Sequence, residues 1–285
     1  MRSMADLYVI AIETHGWDGA WYRRAYYDDG TPIGSAASDE CRIDSIAQSW
    51  SVISGAGMPD RARQAMDAFD AQLVREDDRI IQLLTPPFDS GANDPGYIRG
   101  YLPGVRENGG QYTHAALWVV RAMAELGRRD RAAHLLEMMS PVSHTQTPAQ
   151  VAVYQVEPYV VAADVYGSAP HVGRGGWTWY TGSSGWMLRV ALESVLGVTI
   201  EGGTTLVVKP CIPDDWPGFT MRRRLPDGTT YAITVKGAPG DVVSEVVVAA
   251  TVDGVPAKIA GGAARIVLVH DGAVHEVAIT LGPRP

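Results

Sequence analysis

The sequence holds 285 residues, 46% of them hydrophobic and 20% charged, with a formal net charge of −8. That balance suits a globular chain able to bury a core, as one large domain or two smaller ones. The acidic charge and the lack of a basic stripe exclude a nucleic-acid binder, and no apolar run approaches the ~20 residues of a membrane span.

The stretch from Met1 to His15 has no long apolar segment and carries Asp6 and Glu13 early, which argues against a signal peptide. Residues 4–14 read as the end of a helix, with Leu7, Ile10 and Ala11 on one face. Residues 42–54 place Ile43, Ile46, Trp50 and Ile53 at helical spacing. Gly55 and Gly57 stop that helix, and Pro59 opens the next, which runs through Ala62, Ala65, Met66, Phe69 and Leu73. The stretch Leu84 to Tyr112 is rich in Gly and Pro yet holds Phe88, Tyr97, Ile98, Tyr101, Leu102 and Val105. It is too apolar for disorder and reads as an ordered loop over the mouth of a helical domain. Further helices fit 114–126, 130–139, 149–166 and 183–196, with Gly127, Gly167 and Gly197 where C-caps fall. Short turns alternating with long loops suggest helical hairpins side by side, as in a solenoid or an (α/α) barrel, and the long loops favour the barrel.

After Gly197 the period changes. Thr204–Val208, Phe219–Arg224, Thr229–Val235, Glu245–Val252, Ala264–Val269 and Val274–Leu281 are Val-, Ile- and Thr-rich, and pairs such as Asp227-Gly228, Asp253-Gly254 and Asp271-Gly272 separate them. The pattern predicts a small antiparallel β-sandwich or partial sheet. Two cysteines, Cys41 and Cys211, lie far apart, and His15, His134, His144 and His171 lack a second ligand at metal spacing. No metal site is expected, and the thiols suit a reduced, cytoplasmic protein.

Two segments can carry chemistry. Arg106-Glu-Asn-Gly-Gly-Gln-Tyr-Thr-His114 leads into a helix, with Thr113 as N-cap and His114 in the first turn. A helix start offers free N–H groups and the positive end of the dipole, so it attracts anions. The same residues also suit a capped helix whose His114 merely touches a loop carbonyl. Thr181-Gly182-Ser183-Ser184 precedes a second helix and is surrounded by Trp177, Trp179, Tyr180 and Trp186. Those rings suit the faces and hydroxyls of a pyranose, or equally an aromatic core. Glu107 can accept sugar hydroxyls; Asp39, Glu40 and Asp44 can complement a helix dipole. Glu157, placed by the pattern inside an apolar helix, needs a hydrogen-bond partner. Nucleophile-elbow, P-loop and dinucleotide motifs are absent from the sequence.

Trp17-Asp-Gly-Ala-Trp-Tyr-Arg-Arg-Ala25, Asp39-Glu-Cys-Arg-Ile-Asp-Ser-Ile-Ala-Gln-Ser-Trp50, the Arg106–His114 segment, Trp179-Tyr-Thr-Gly-Ser183 and Pro210-Cys-Ile-Pro213 before Trp216-Pro-Gly-Phe219 together resemble glycoside hydrolase family 94. That family includes cellobiose and chitobiose phosphorylases and the C-terminal region of cyclic β-1,2-glucan synthases, the branch this chain resembles most. The resemblance covers residues 5–236. It implies a mainly α fold: part of an (α/α)6 barrel over residues 1–198, followed by an antiparallel β domain over 199–285. It also implies inverting phosphorolysis of a β-glucosidic bond, with inorganic phosphate as co-substrate and no cofactor. His114, Thr181 and Gly182 match the family's phosphate-binding positions, and Glu107, Tyr112 and Trp179 are the expected sugar contacts. The family's catalytic aspartate lies in a G-D-W-N-D-G-type motif upstream of the W-D-G-x-W-Y segment, so it is expected before Met1. The isolated chain is therefore expected to be inactive and poorly soluble unless it joins the missing barrel part or itself. A glucoamylase-like inverting hydrolase and a non-catalytic carbohydrate-binding module are the rival readings.

Overall fold

The computed structural model describes residues 3–237 and 245–283. The chain divides into two units, Met1–Leu126 with His134–Leu188, and Gly127–Ala133 with Arg189–Pro285. Among the described residues no helix is long and apolar enough to cross a membrane.

In the first unit α1 (Met4–Ala11) is capped by Ser3, whose side chain accepts from Asp6 N–H while Asp6 answers the Ser3 backbone, and a π-helical turn continues it over Ile12–Gly16. The predicted apolar face of this helix is not buried at any position. The predicted periodicity of α3 (Pro59–Leu73) holds in full: Ala62, Ala65, Met66, Phe69 and Leu73 are its buried residues. The next helices in chain order are α4 (Thr113–Glu125), α5 (Arg129–Met138), whose first residues belong to the second unit, α6 (Pro148–Tyr154) and α7 (Thr181–Arg189), which runs into a π-helical stretch of the second unit over Val190–Val195.

Two helices depart from expectation. α2 (Ser45–Ile53) begins three residues late, because Ile43–Asp44 pairs antiparallel with Leu84–Thr85. It buries Ser45, Gln48, Ser49 and Ser51 and leaves Trp50 exposed. Most of that polar face is satisfied: Gln48 accepts Tyr22 N–H through Oε1 (2.8 Å) and donates to Tyr22 O through Nε2 (2.9 Å), whereas the buried Ser45 hydroxyl has no hydrogen-bond partner. The helix predicted over 149–166 ends at Tyr154, where Gln155 takes a left-handed φ of 56°. Residues 164–165 form a strand instead, because tertiary pairing outweighs the weak helical preference of a Val-rich stretch containing Pro158. Gly167 therefore caps no helix. Gly197 does lie past a helix end, with φ 68° and the Lys209 carbonyl oxygen 1.9 Å from where a Cβ would stand, which leaves room for glycine alone.

The Leu84–Tyr112 loop is ordered. Phe88 and Ile98 are buried in a cluster with Leu84 and Cys41. Buried Asn108 fixes its shape, accepting Phe88 N–H (2.7 Å) and donating to the carbonyls of Phe88 (2.7 Å) and Tyr101 (2.8 Å).

The second unit holds β1 (Val198–Glu201), β2 (Thr205–Val208), β3 (Gly218–Arg224), β4 (Thr230–Lys236), β5 (Val246–Val252), β6 (Val255–Pro256), β7 (Lys258–Ala260), β8 (Ala263–Val267) and β9 (Val274–Gly282). Two sheets, β7-β8-β2-β1 and β3-β4-β9-β5-β6, share one core that includes Leu206, Val208 and Ile266 from the first and Tyr231, Ile233, Val277 and Ile279 from the second. The expectation of a wholly antiparallel sandwich needs one correction. β4 and β9 run parallel, Thr230 facing Val274 through to Lys236 facing Thr280. The chain between them is long enough for the crossover that a parallel pair requires.

Candidate functional site

Three short backbone segments build the site. Gln111–Tyr112 pairs antiparallel with Asp164–Val165, and Val165 bridges in turn to Gly175. Thr113 N–H donates to Ala163 O (2.9 Å), Ala163 N–H to Trp177 O (2.6 Å), and Gly176 N–H to Asp164 O (2.8 Å). Residues 163–165 thus hold the chain entering α4 on one side and the chain approaching α7 on the other. Tyr112, His114, Ala163, Trp179, Tyr180, Thr181, Gly182 and Ser183 line one pocket of about 270 Å³.

Both predicted helix starts therefore border the same cavity. Thr113 is the first residue of α4 and not its cap; Tyr112 precedes it, and no side chain caps this end. His114 lies in the first turn, as expected. Its ring packs against Tyr112 (centroids 6.5 Å apart), Trp118 (4.8 Å) and Trp186 (5.8 Å). Burial among these uncharged rings pushes the imidazole below its ordinary value, so it is neutral at neutral pH and offers one N–H. Thr181 and Gly182 belong to the first turn of α7. A Cβ on Gly182 would stand 3.8 Å from His114 Nδ1, so the glycine leaves the space before the imidazole open.

Of the expected sugar contacts, Tyr112 and Trp179 line the pocket and Glu107 does not. Glu107 Oε2 lies 3.5 Å from Arg106 Nε and is buried without a hydrogen-bond partner. The Arg106 guanidinium lies 5.4 Å from the Tyr101 ring centre and 6.0 Å from that of Tyr180. Glu107 thus bears on the pocket wall through Arg106, which lies beside Tyr180 and also interacts with Tyr112. Glu157, predicted in a helix, lies outside α6 and accepts Trp179 Nε1–H (3.1 Å).

Asp164 escaped the sequence reading. It is fully buried; Oδ1 accepts Trp177 N–H (3.1 Å) and Oδ2 has no hydrogen-bond partner. Burial raises its carboxyl above the usual range, against the pull of the Trp177 N–H and Arg106. A Cβ on Gly176 would stand 2.5 Å from Asp164 Oδ1, so this turn closes over the carboxylate only with glycine. The available signal was an acid inside an apolar run that already contained Pro158. Among the described residues no group of three or more His, Cys, Asp or Glu side chains is placed to hold a metal ion.

Residues 1–197 match the family model described as the Glycosyl hydrolase 94 superfamily, catalytic domain. The cyclic beta-(1,2)-glucan synthase NdvB of Rhizobium meliloti is 54% identical over 225 residues, covering 79% of this chain and 8% of that protein. The N,N'-diacetylchitobiose phosphorylase of Vibrio proteolyticus is 34% identical over 275 residues, covering 95% of this chain and 33% of that protein. The solabiose phosphorylase of Paenibacillus borealis is 32% identical over 227 residues, covering 79% of this chain and 29% of that protein. The chain spans no more than a third of the length of these relatives.

Proposed function

The chain belongs to the glycosyl hydrolase 94 superfamily, and from that premise we propose that it serves inverting phosphorolysis of a β-glucan, with β-1,2-linked chains favoured. Its helical unit supplies part of an (α/α)6 barrel, and its β unit is the appended domain. A phosphate oxygen attacks the anomeric carbon as the glycosidic C–O bond breaks, giving α-glucose 1-phosphate. The leaving oxygen takes a proton from an acid that we assign to no residue of this chain. Phosphate as nucleophile removes the need for the carboxylate base and positioned water of an inverting hydrolase.

His114, Thr181 and Gly182 hold the phosphate. Tyr112 and Trp179 face the sugar directly, and Glu107 acts through Arg106. The observation that carries this reading is that two helix starts, one with a neutral imidazole and one with a hydroxyl beside a glycine, border a single pocket walled by aromatic rings.

The test is calorimetry with inorganic phosphate, together with a glucose 1-phosphate assay on β-1,2-glucooligosaccharides. Phosphate binding should weaken about tenfold or more in His114→Ala, the loss of a charge-assisted hydrogen bond. Equal affinity in the variant would sink the phosphate assignment. Release of glucose 1-phosphate by the purified chain, well above the His114→Ala control, would show that the acid lies within it after all.

A further inference from the structure

The pocket accounts for two of four large aromatic rings that stand together at its edge. Trp179 and Tyr180 are in the lining, whereas Trp177 and Tyr159 lie beyond it. Tyr159, Trp179 and Trp177 are 76%, 67% and 59% exposed, a large apolar area for a chain to leave in water at one place. The rings are ordered in pairs. Trp177 stacks on Tyr180 at 13° with centroids 6.3 Å apart, and Tyr159 meets Trp179 edge to face at 6.4 Å. Each pair joins one ring in the pocket wall to one ring outside it, so the aromatic surface continues outward from the cavity.

Trp179 is also held where a bulky side chain rarely stays. Its φ is +64°, a left-handed conformation that costs a non-glycine residue free energy and persists only where its surroundings impose it. Its indole N–H is fixed by the Glu157 carboxylate, which its own backbone and this indole keep ionised below the ordinary range. A strained backbone and an anchored ring edge together present the indole face to solvent and not to a core. Flat apolar faces with polar edges suit the alternating C–H faces and equatorial hydroxyls of β-linked glucose units.

We propose that Trp177, Tyr159, Trp179 and Tyr180 form a platform that binds the part of a glucan chain leaving the pocket, so that this site takes oligosaccharides in preference to disaccharides. The proposal rests on the phosphorylase reading of the pocket, and Glu157 acts in it as the positioning residue for Trp179.

The test is calorimetric affinity of the full chain for β-1,2-linked glucose oligosaccharides of increasing length, with inorganic phosphate titrated in parallel. Affinity should rise from the disaccharide to longer chains. Trp177→Ala and Tyr159→Ala should each weaken binding of the long oligosaccharides about 3- to 10-fold and leave the disaccharide and phosphate unchanged. Trp177→Phe should restore most of the loss, and both sites are exposed enough for circular dichroism to confirm an intact fold. Affinity independent of length, or equal losses for short and long sugars, would overturn the platform. Length-dependent binding without any phosphate binding would sink the phosphorylase reading and leave the platform standing. No binding of any sugar would remove both.

Discussion

The imidazole of His114 has three aromatic neighbours and owes its lowered basicity to burial alone. An anion placed before it reverses that balance, because a neighbouring negative charge favours the imidazolium. Anion binding should then take up a proton, and affinity should rise as pH falls below the ordinary histidine range near ~6.5. Sulfate is the clean probe, since its own charge stays fixed there. Its affinity should increase by at most about tenfold per pH unit, the limit for one coupled proton, and the slope should vanish in His114→Gln. A pH-independent affinity in the wild-type chain would detach His114 from the anion. That His114, Thr181 and Gly182 stand at helix starts was legible in the sequence, because glycine, hydroxyl and histidine punctuate such positions. Asp164 and the placement of Arg106 were not. Their positions depend on pairing of segments some fifty residues apart, Tyr112 with Asp164, which no local pattern records.

At the scale of elements, α3 was readable residue by residue because one apolar face packs on one core. α2 was misread because its buried face is polar, and burial there is secured by hydrogen bonds from Gln48 and by the cap at Asp44. Asp44 is fully buried, accepts Ile46 N–H (2.8 Å) and Ala47 N–H (3.2 Å) through Oδ1, and pairs with Arg24 through Oδ2. Burial works against the Arg24 cation, and Asp44, chief among the groups that favour the charge, helps to hold its basicity above the ordinary value. Asp44→Ala removes a helix cap and strands a largely buried guanidinium, so it should lower unfolding free energy by about 3–5 kcal/mol in urea titrations. Asp44→Asn keeps the side-chain acceptor and should lose less. If the alanine variant loses no more than an ordinary cap, about 1 kcal/mol, the pair with Arg24 contributes nothing. The same reasoning explains α6. Apolar periodicity past Tyr154 reports burial, and burial in a strand paired with Gln111–Tyr112 satisfies it as well as burial in a helix.

At the scale of the molecule, the described strands longer than two residues all lie after Gly197, where the period of the sequence changes. What periodicity does not report is whether an apolar face has something to pack on. α1 carries Met4, Leu7, Tyr8, Val9 and Ile10, all exposed, and Ile12 just beyond it is exposed too. Trp50 on α2 is also open. A contiguous surface of this kind promotes association even on a chain of net charge −8. Leu7→Glu with Tyr8→Glu adds negative charge where no residue is buried, so it should leave the unfolding free energy within the range of a surface change, about 0.5 kcal/mol. The same double variant should shift light scattering and gel filtration toward monomer. Unchanged association would place the contact elsewhere, and a large loss of stability would mean that α1 packs on the chain in solution.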